Sequence, residues 1–131
     1  MQQRIEDDEV TVLVWLRENA KGMGRRFAFS ADHVAENTGM GLDRLVKAAT
    51  YLEGWGLIGL SGDLAADADP IGGPYLTSQG EAYLREIDDR LQQQKLLPRG
   101  KRLGMAALKG AFDTVLKIGV DVLTELAKRG L

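Results

Sequence analysis

The sequence predicts a mainly α-helical (α+β) fold, in which several helices accompany one very small sheet. Apolar residues recur at intervals of three and four over residues 42–52, and again over residues 108–126, as on the buried face of a helix. A short apolar run at residues 57–60 follows two glycines and suits a strand. The length of 131 residues, with 44% hydrophobic and 27% charged residues, is typical of one soluble domain with a small appendage.

A helix-turn-helix is predicted in the first half of the chain. Ser30 is a good N-cap for a short first helix, because its hydroxyl can accept a free backbone N–H of the first turn. The Gly39-Met40-Gly41 segment then breaks that helix, since glycine adopts the positive φ of a tight turn without steric cost. A second helix is predicted over residues 42–54, with its apolar residues on one face. Two short helices joined by a glycine turn form this motif.

The same residues carry a resemblance to a known superfamily. The pattern A-x-x-V-A-E-x-T-G occupies residues 31–39, and L-x-x-L-V-K-A-A-x-Y-L-E-x-W-G-L-I occupies residues 42–58. The segment YLTSQGEAYL at residues 75–84 is similar to a second wing strand and the helix after it. Over roughly residues 5 to 95 the chain resembles winged-helix transcriptional regulators of bacteria and archaea. The resemblance implies a winged helix-turn-helix with a small β-wing, in which the second helix reads DNA.

The segment before the motif, at residues 5–19, is predicted to form the first helix, with acidic residues in its first turn. Residues 10–16 are apolar at every position but Thr11, so this helix needs partners on more than one side. The second partner is either the C-terminal segment or another subunit. A strand is the rival interpretation, because the run is rich in β-branched residues. Residues 27–29 alternate as in a very short strand.

The predicted wing, residues 58–76, has a long acidic tip that contains glycine and proline. A wing that enters the minor groove usually carries arginine or lysine, whereas this one carries neither and would be repelled by phosphate. Thr77 or Ser78 is expected to cap the next helix. That helix is expected to run to about Leu97, because Pro98 disfavours helix in the residue before it.

The last segment, residues 103–129, is predicted to form one long amphipathic helix. Its apolar residues follow a heptad-like seam with a second apolar row beside it, so the helix needs more than one neighbour. Charges of alternating sign interrupt the run, which favours protein packing over a membrane span or an interfacial helix. The predicted oligomerisation residues are Leu108, Phe112, Val115, Val122 and Leu126.

The charge of the chain is divided between two regions. Residues 1–94 carry nine Lys and Arg against 16 Asp and Glu, a net charge of −7. Residues 95–131 carry eight against three, a net charge of +5, although basic segments that bind nucleic acid would be expected in the helix-turn-helix. We predict a winged-helix domain at 1–97, a basic linker at 98–102 and a C-terminal oligomerisation helix at 103–131.

The expected partners are double-stranded DNA and a second copy of the chain. Arg44, Lys47 and Tyr51 lie on the outward side of helix 42–54, where arginine can read guanine and lysine can meet phosphate. A solvated helix face is the alternative, and Tyr51 is equally suited to the core. Arg25 and Arg26 are expected either to contact phosphate or to serve solubility alone.

The sequence contains no pattern that supports catalysis or a bound group. It lacks a nucleophile–histidine–carboxylate set and a phosphate-binding glycine motif. One histidine and no cysteine leave no metal-ligand set, so neither a metal nor a cofactor is expected. The absence of cysteine and the acidic N-terminus, which does not resemble a signal peptide, favour a cytoplasmic protein.

Two functions follow from these patterns. The first is a non-enzymatic, homodimeric DNA-binding regulator that uses helix 42–54 to read DNA and its terminal helices to self-associate. The alternative is a winged-helix interaction module that binds a protein partner. In that module the C-terminal helix docks into a larger assembly or on a membrane surface. The acidic charge of residues 1–94 and the wing without lysine or arginine favour the alternative.

Overall fold

The computed structural model describes residues 5–20, 29–60 and 73–129. Within these ranges the chain is mainly helical and contains one small antiparallel sheet of two strands, as the sequence predicts. The elements are α1 (Asp7–Asn19), α2 (Ala31–Thr38), α3 (Leu42–Gly54), β1 (Ile58–Leu60), β2 (Pro74–Leu76), α4 (Ser78–Gln93), α5 (Met105–Gly110) and α6 (Phe112–Lys128).

The first helix, α1, lies at the centre of the fold and contacts all five other helices. Val12, Leu13 and Val14 are all buried, although three successive positions point in different directions around a helix. The start of α1 is stabilised by Glu9, whose carboxylate accepts the backbone N–H of Glu6 at 2.9 Å. The rival interpretation of this segment as a strand is therefore wrong. The C-terminal segment of the same chain supplies the additional neighbour that the apolar run requires.

Two short helices joined by a glycine turn follow, as predicted. The Ser30 hydroxyl accepts the backbone N–H of His33 at 3.2 Å and so caps α2. Gly39 ends α2 with a φ of +71°, in the left-handed region that favours glycine. α3 then has the predicted bounds, and it packs against α1 and α2.

The small sheet joins the end of α3 to the start of α4. β1 and β2 pair antiparallel, with Ile58 opposite Leu76 and Gly59 opposite Tyr75. The Tyr75 ring occupies the space in which a Cβ on Gly59 would lie, so a side chain at this position would require the ring to move.

Some predictions fall on residues outside the described ranges. These are residues 61–72 of the predicted wing tip, the phosphate contacts of Arg25 and Arg26, and the first two residues of the strand predicted at 27–29. Phe29, the third residue of that strand, is described and belongs to neither strand of the sheet.

α4 begins as predicted but ends a turn early. The Thr77 hydroxyl accepts the backbone N–H of Gly80 at 3.0 Å and caps the helix. The predicted end near Leu97 is wrong, because the last helical residue is Gln93. Lys95 adopts a φ of +62°, which a right-handed helix does not allow. The reversal of the chain at Lys95, and not the proline, ends α4.

The single helix predicted over residues 103–129 is instead two helices. The break lies at Ala111, whose φ of −141° and ψ of 27° are not helical, directly after the poor helix former Gly110. The break allows α5 to pack against α1 while α6 packs mainly against α4. No helix in the described ranges is long and apolar enough to cross a membrane.

Candidate nucleic-acid interface

The outer surface of α3 is the site at which the sequence places DNA contacts. α3 buries Leu45, Ala49 and Leu52 against the core and turns its opposite face to solvent. Arg44 and Lys47 are both on this exposed face. Tyr51 is only half-exposed and packs against the core, so it is the least accessible of the three predicted contacts.

Arg44 is held by an acidic residue of α1. Its Nε atom donates to Asp8 Oδ2 at 3.1 Å, and its Nη2 atom donates to Asp8 Oδ1. These hydrogen bonds raise the pKa of Arg44 above its ordinary value. The Arg44 side chain is nevertheless 63% exposed, so water and salt screen the pair and a phosphate group can compete for the guanidinium.

The Arg44–Asp8 pair lies in an open cleft of about 510 Å³. The cleft forms where the start of α1, the start of α3 and the α6 residue Leu116 meet. Glu6 and Asp7 line it beside Asp8, so the surroundings of Arg44 are acidic. This charge opposes the approach of a phosphate backbone from the α1 side.

Lys47 is the least constrained cation of α3. It is exposed and forms no ion pair with a residue in the described part of the chain. One turn later, the Thr50 hydroxyl donates to the Val46 carbonyl oxygen at 2.8 Å, which leaves its lone pairs free to accept. The exposed face therefore offers one cation with no ion-pair partner in the described ranges, one cation held by Asp8, and one small polar group.

The predicted oligomerisation residues do not form one exposed surface. Leu108, Val115 and Val122 are buried within the chain itself, between α5, α6 and the helices they cover. Phe112 and Leu126 are partly buried and pack against the same core. The three buried residues can enter a subunit interface only if α5 and α6 leave their own domain.

A buried ion pair that the sequence analysis did not identify fixes the C-terminal segment. Arg17 of α1 donates from Nη1 to Asp88 Oδ2 at 2.7 Å and from Nη2 to Asp88 Oδ1 at 3.0 Å. Their side chains are only 4% and 5% exposed. Arg17 also donates to the Leu103 carbonyl oxygen at 2.9 Å, and the Leu103 N–H donates to Asp88 at 2.9 Å. In the sequence, Arg17 and Asp88 each follow an apolar leucine by four residues, and this spacing places both charged residues on the buried faces of their helices.

The basic linker is not part of the α3 surface. The linker leads into Met105, whose N–H donates to the Glu18 carboxylate at 2.9 Å, in the last turn of α1. Arg44 contacts Asp8, in the first turn of the same helix. Ten residues of helix separate the two acidic residues by roughly 15 Å. The structure therefore does not bring the linker cations together with Arg44.

Comparisons with known proteins gave no family to which the chain can be assigned. No family model, no curated protein and no solved structure matched it. The described residues also contain no group of three or more His, Cys, Asp or Glu side chains that could hold a metal ion.

Proposed function

We propose that this chain is a non-enzymatic winged-helix DNA-binding protein, a transcriptional regulator that inserts α3 into the major groove. The exposed face of α3, with Arg44 and Lys47, is the observation that supports this proposal. α3 follows α2 through a glycine turn and precedes an antiparallel strand pair at the position of a wing. In helix-turn-helix proteins the second helix contacts base edges in this way.

In this proposal the two cations have different roles. Lys47, which has no ion-pair partner among the described residues, contacts phosphate and contributes to affinity without sequence preference. Arg44 reads a guanine edge after it leaves Asp8, because arginine offers two parallel donors to the guanine O6 and N7 atoms. Because Arg44 must break its ion pair with Asp8 before it binds the base, the net gain in affinity is smaller than that from an unpaired arginine.

We extend the proposal to a homodimer on a palindromic site, with two α3 helices about one duplex turn apart. Because Leu108, Val115 and Val122 lie in the core of their own chain, they are not available for this contact. The self-association surface then consists of the partly exposed apolar residues of α6. These are Phe112, Leu116, Val120 and Leu126.

Selection of duplex DNA from a random library, followed by fluorescence anisotropy at stated salt, tests the proposal. The double variant Arg44→Ala, Lys47→Ala should bind the selected duplex at least about tenfold more weakly, because each cation contributes a separate contact. The matched control is Arg85→Ala, Lys109→Ala, which removes one arginine and one lysine from exposed positions away from α3. Equal affinities of the wild type and the α3 variant would contradict the proposal.

A protein-interaction module is the second candidate, and the acidic cleft beside Arg44 favours it. Glu6, Asp7 and Asp8 form a surface that suits a basic peptide better than a phosphate backbone. The C-terminal helices already pack in their own chain, so the cleft is the docking surface of this second candidate. Failure to select any duplex, together with capture of a basic peptide that Asp8→Lys abolishes, would favour this module over the DNA-binding protein.

A further inference from the structure

The surface at the ends of α4 and α6 carries a cluster of cations far from α3. The two helices run in the same direction, because Tyr83 bonds Gly119 at 2.9 Å and, further along both helices, Arg90 pairs with Glu125. Their last turns therefore lie side by side. We name this surface the basic pole; its exposed cations are Lys95, Arg99, Lys101, Arg102, Lys128 and Arg129.

The loop that carries four of these cations is folded against the domain. The Leu96 N–H donates to the Leu91 carbonyl oxygen at 2.8 Å, which closes the end of α4. Gln92 Nε2 donates to the Lys101 carbonyl oxygen at 2.8 Å. Leu103 then enters the buried Arg17–Asp88 network. The backbone that carries these four cations is thus held in place, so no loop has to be ordered when they meet a partner.

The acidic residues near the basic pole are mostly engaged elsewhere. Glu86 and Glu125 both pair with Arg90, and Asp88 is buried with Arg17. Glu86 and Asp89 of α4 and Glu18 of α1 are exposed; Glu86 is paired with Arg90, Glu18 accepts the Met105 N–H, and Asp89 has no ion pair among the described residues. The basic pole therefore has a strong net positive charge.

An apolar side chain lies among these cations. Leu96 is 50% exposed, and it is the single exposed large hydrophobic residue in the described part of the chain. Lys95, directly before it, has the positive φ at which the chain reverses after α4. A phosphate backbone gains nothing from contact with a leucine, whereas the headgroup region of a bilayer accepts an apolar side chain flanked by cations.

We propose that the basic pole docks this protein on an anionic phospholipid bilayer, with Leu96 inserted among the headgroups and the six cations attracted to the lipid phosphates. Lysine and arginine clusters near a surface are attracted to anionic leaflets in this way. This surface is independent of the proposed DNA contact. The linker cations lead into Leu103 and Met105, which contact Arg17 and Glu18 near the end of α1, whereas Arg44 contacts Asp8 in its first turn, so α3 remains accessible when the basic pole is on the membrane.

Vesicle co-sedimentation of the full chain tests the proposal, with phosphatidylcholine vesicles compared with mixed phosphatidylcholine and phosphatidylglycerol vesicles. The wild type should bind only the anionic vesicles, and less at high salt. Lys101→Glu with Arg102→Glu should weaken binding at least about tenfold, because two attractive charges become repulsive. Leu96→Ser should weaken it about threefold. The matched control, Arg85→Glu with Lys109→Glu, should bind within about twofold of the wild type.

Two outcomes would overturn the proposal. They are failure of the wild type to bind anionic vesicles, and an equal loss of vesicle binding in the control variant. If the wild type binds no vesicles and the Lys101, Arg102 variant loses duplex-DNA binding, the surface belongs to nucleic acid. Circular dichroism of each variant shows that the fold is intact. Vesicle binding that survives Arg44→Ala with Lys47→Ala supports the proposal whether or not α3 binds DNA.

Discussion

At the scale of single residues, the Arg17–Asp88 pair is a buried contact that joins the C-terminal segment to α1 and α4. Both charges are desolvated, and each is compensated by the other and by the Leu103 backbone. A buried pair of this kind contributes modest net stability, but removal of one partner leaves an uncompensated buried charge. The pair also selects one arrangement of the linker, because only Leu103 supplies the backbone atoms that complete it.

Asp88→Asn should therefore lower the free energy of unfolding by about 3 kcal/mol, because Arg17 stays buried without its counter-charge. Asp89→Asn is the matched control at the next, exposed position, and it should change stability by less than about 0.5 kcal/mol. Urea unfolding followed by circular dichroism measures both. If the two variants are equally stable, the Asp88 carboxylate does not compensate a buried charge on Arg17.

Tyr83 links α4 to α6 and gives the protein a pH dependence at alkaline pH. Burial raises the pKa of Tyr83 above its ordinary value of 10.0. The unfolded chain therefore releases this proton at lower pH than the folded chain, and stability falls as the pH rises above about 10. Tyr83→Phe should cost about 1–2 kcal/mol near neutral pH, because the Gly119 carbonyl loses its donor. Between neutral pH and a pH above 10, the urea midpoint of unfolding should fall less in the variant than in the wild type.

Asp8 should act as an internal competitor of DNA for Arg44. Asp8→Asn should raise the affinity for the selected duplex by about two- to fivefold at low salt, as expected when an exposed ion pair is removed. Asp7→Asn makes the same charge change one residue away in the same acidic cleft and should have a smaller effect. Fluorescence anisotropy with both variants separates release of Arg44 from the general loss of negative charge; equal gains would assign the effect to net charge alone.

At the scale of elements, close backbone approaches decide how the helices and strands fit together. α4 begins against Leu57, the residue before β1, because Gly80 has no side chain; a Cβ there would overlap the Leu57 carbonyl oxygen. α6 approaches α4 for the same reason at Gly119, where a Cβ would lie 2.7 Å from the Tyr83 hydroxyl oxygen. Glycine is a poor helix former, so these two residues destabilise their helices locally. The close packing that they permit offsets this cost.

Gly80→Ala should thus destabilise the protein by about 1–3 kcal/mol, although alanine is the better helix former. Gly54→Ala, in a helix but with open space around the added Cβ, should stabilise it by about 0.5–1 kcal/mol. Thermal unfolding of the two variants compares these opposite signs directly. A stabilised Gly80→Ala protein would show that α4 can move away from Leu57 at little cost.

At the scale of the whole molecule, α5 and α6 form part of the main core and not an attached arm. They cover α1, and they contribute Leu108, Val115 and Leu123 to the same hydrophobic cluster as α3 and α4. The charge is likewise arranged across the whole domain, with acidic residues around the start of α1 and the basic pole at the ends of α4 and α6.

A chain that ends at residue 99 should accordingly fail to form a stable domain. It exposes the apolar surface of α1 and α4 and leaves the buried Arg17–Asp88 pair open to water. Loss of a cooperative thermal transition, with binding of a dye for exposed apolar surface, is the expected result. A truncated chain that unfolds cooperatively near the temperature of the full chain would show that α5 and α6 are dispensable.

The local elements follow from the sequence because their causes are local. Periodicity and caps place α3 and the starts of α2 and α4, and the glycines mark the turn between α2 and α3. The same local rules miss the ends of elements that depend on distant contacts. α4 stops where the linker turns back toward α1, and the last helix breaks so that its halves can cover two different neighbours.

The tertiary structure alone decided what the apolar faces and charges contact. The sequence determined that α1 and the C-terminal segment carry more apolar surface than a minimal domain needs, but either a second subunit or the same chain satisfies such a pattern. Likewise, the sequence placed Arg44 on the outer side of α3 and could not show that Asp8, 36 residues earlier, would hold it. Periodicity reports which side of a helix is apolar or charged, whereas only the packed chain selects the partner.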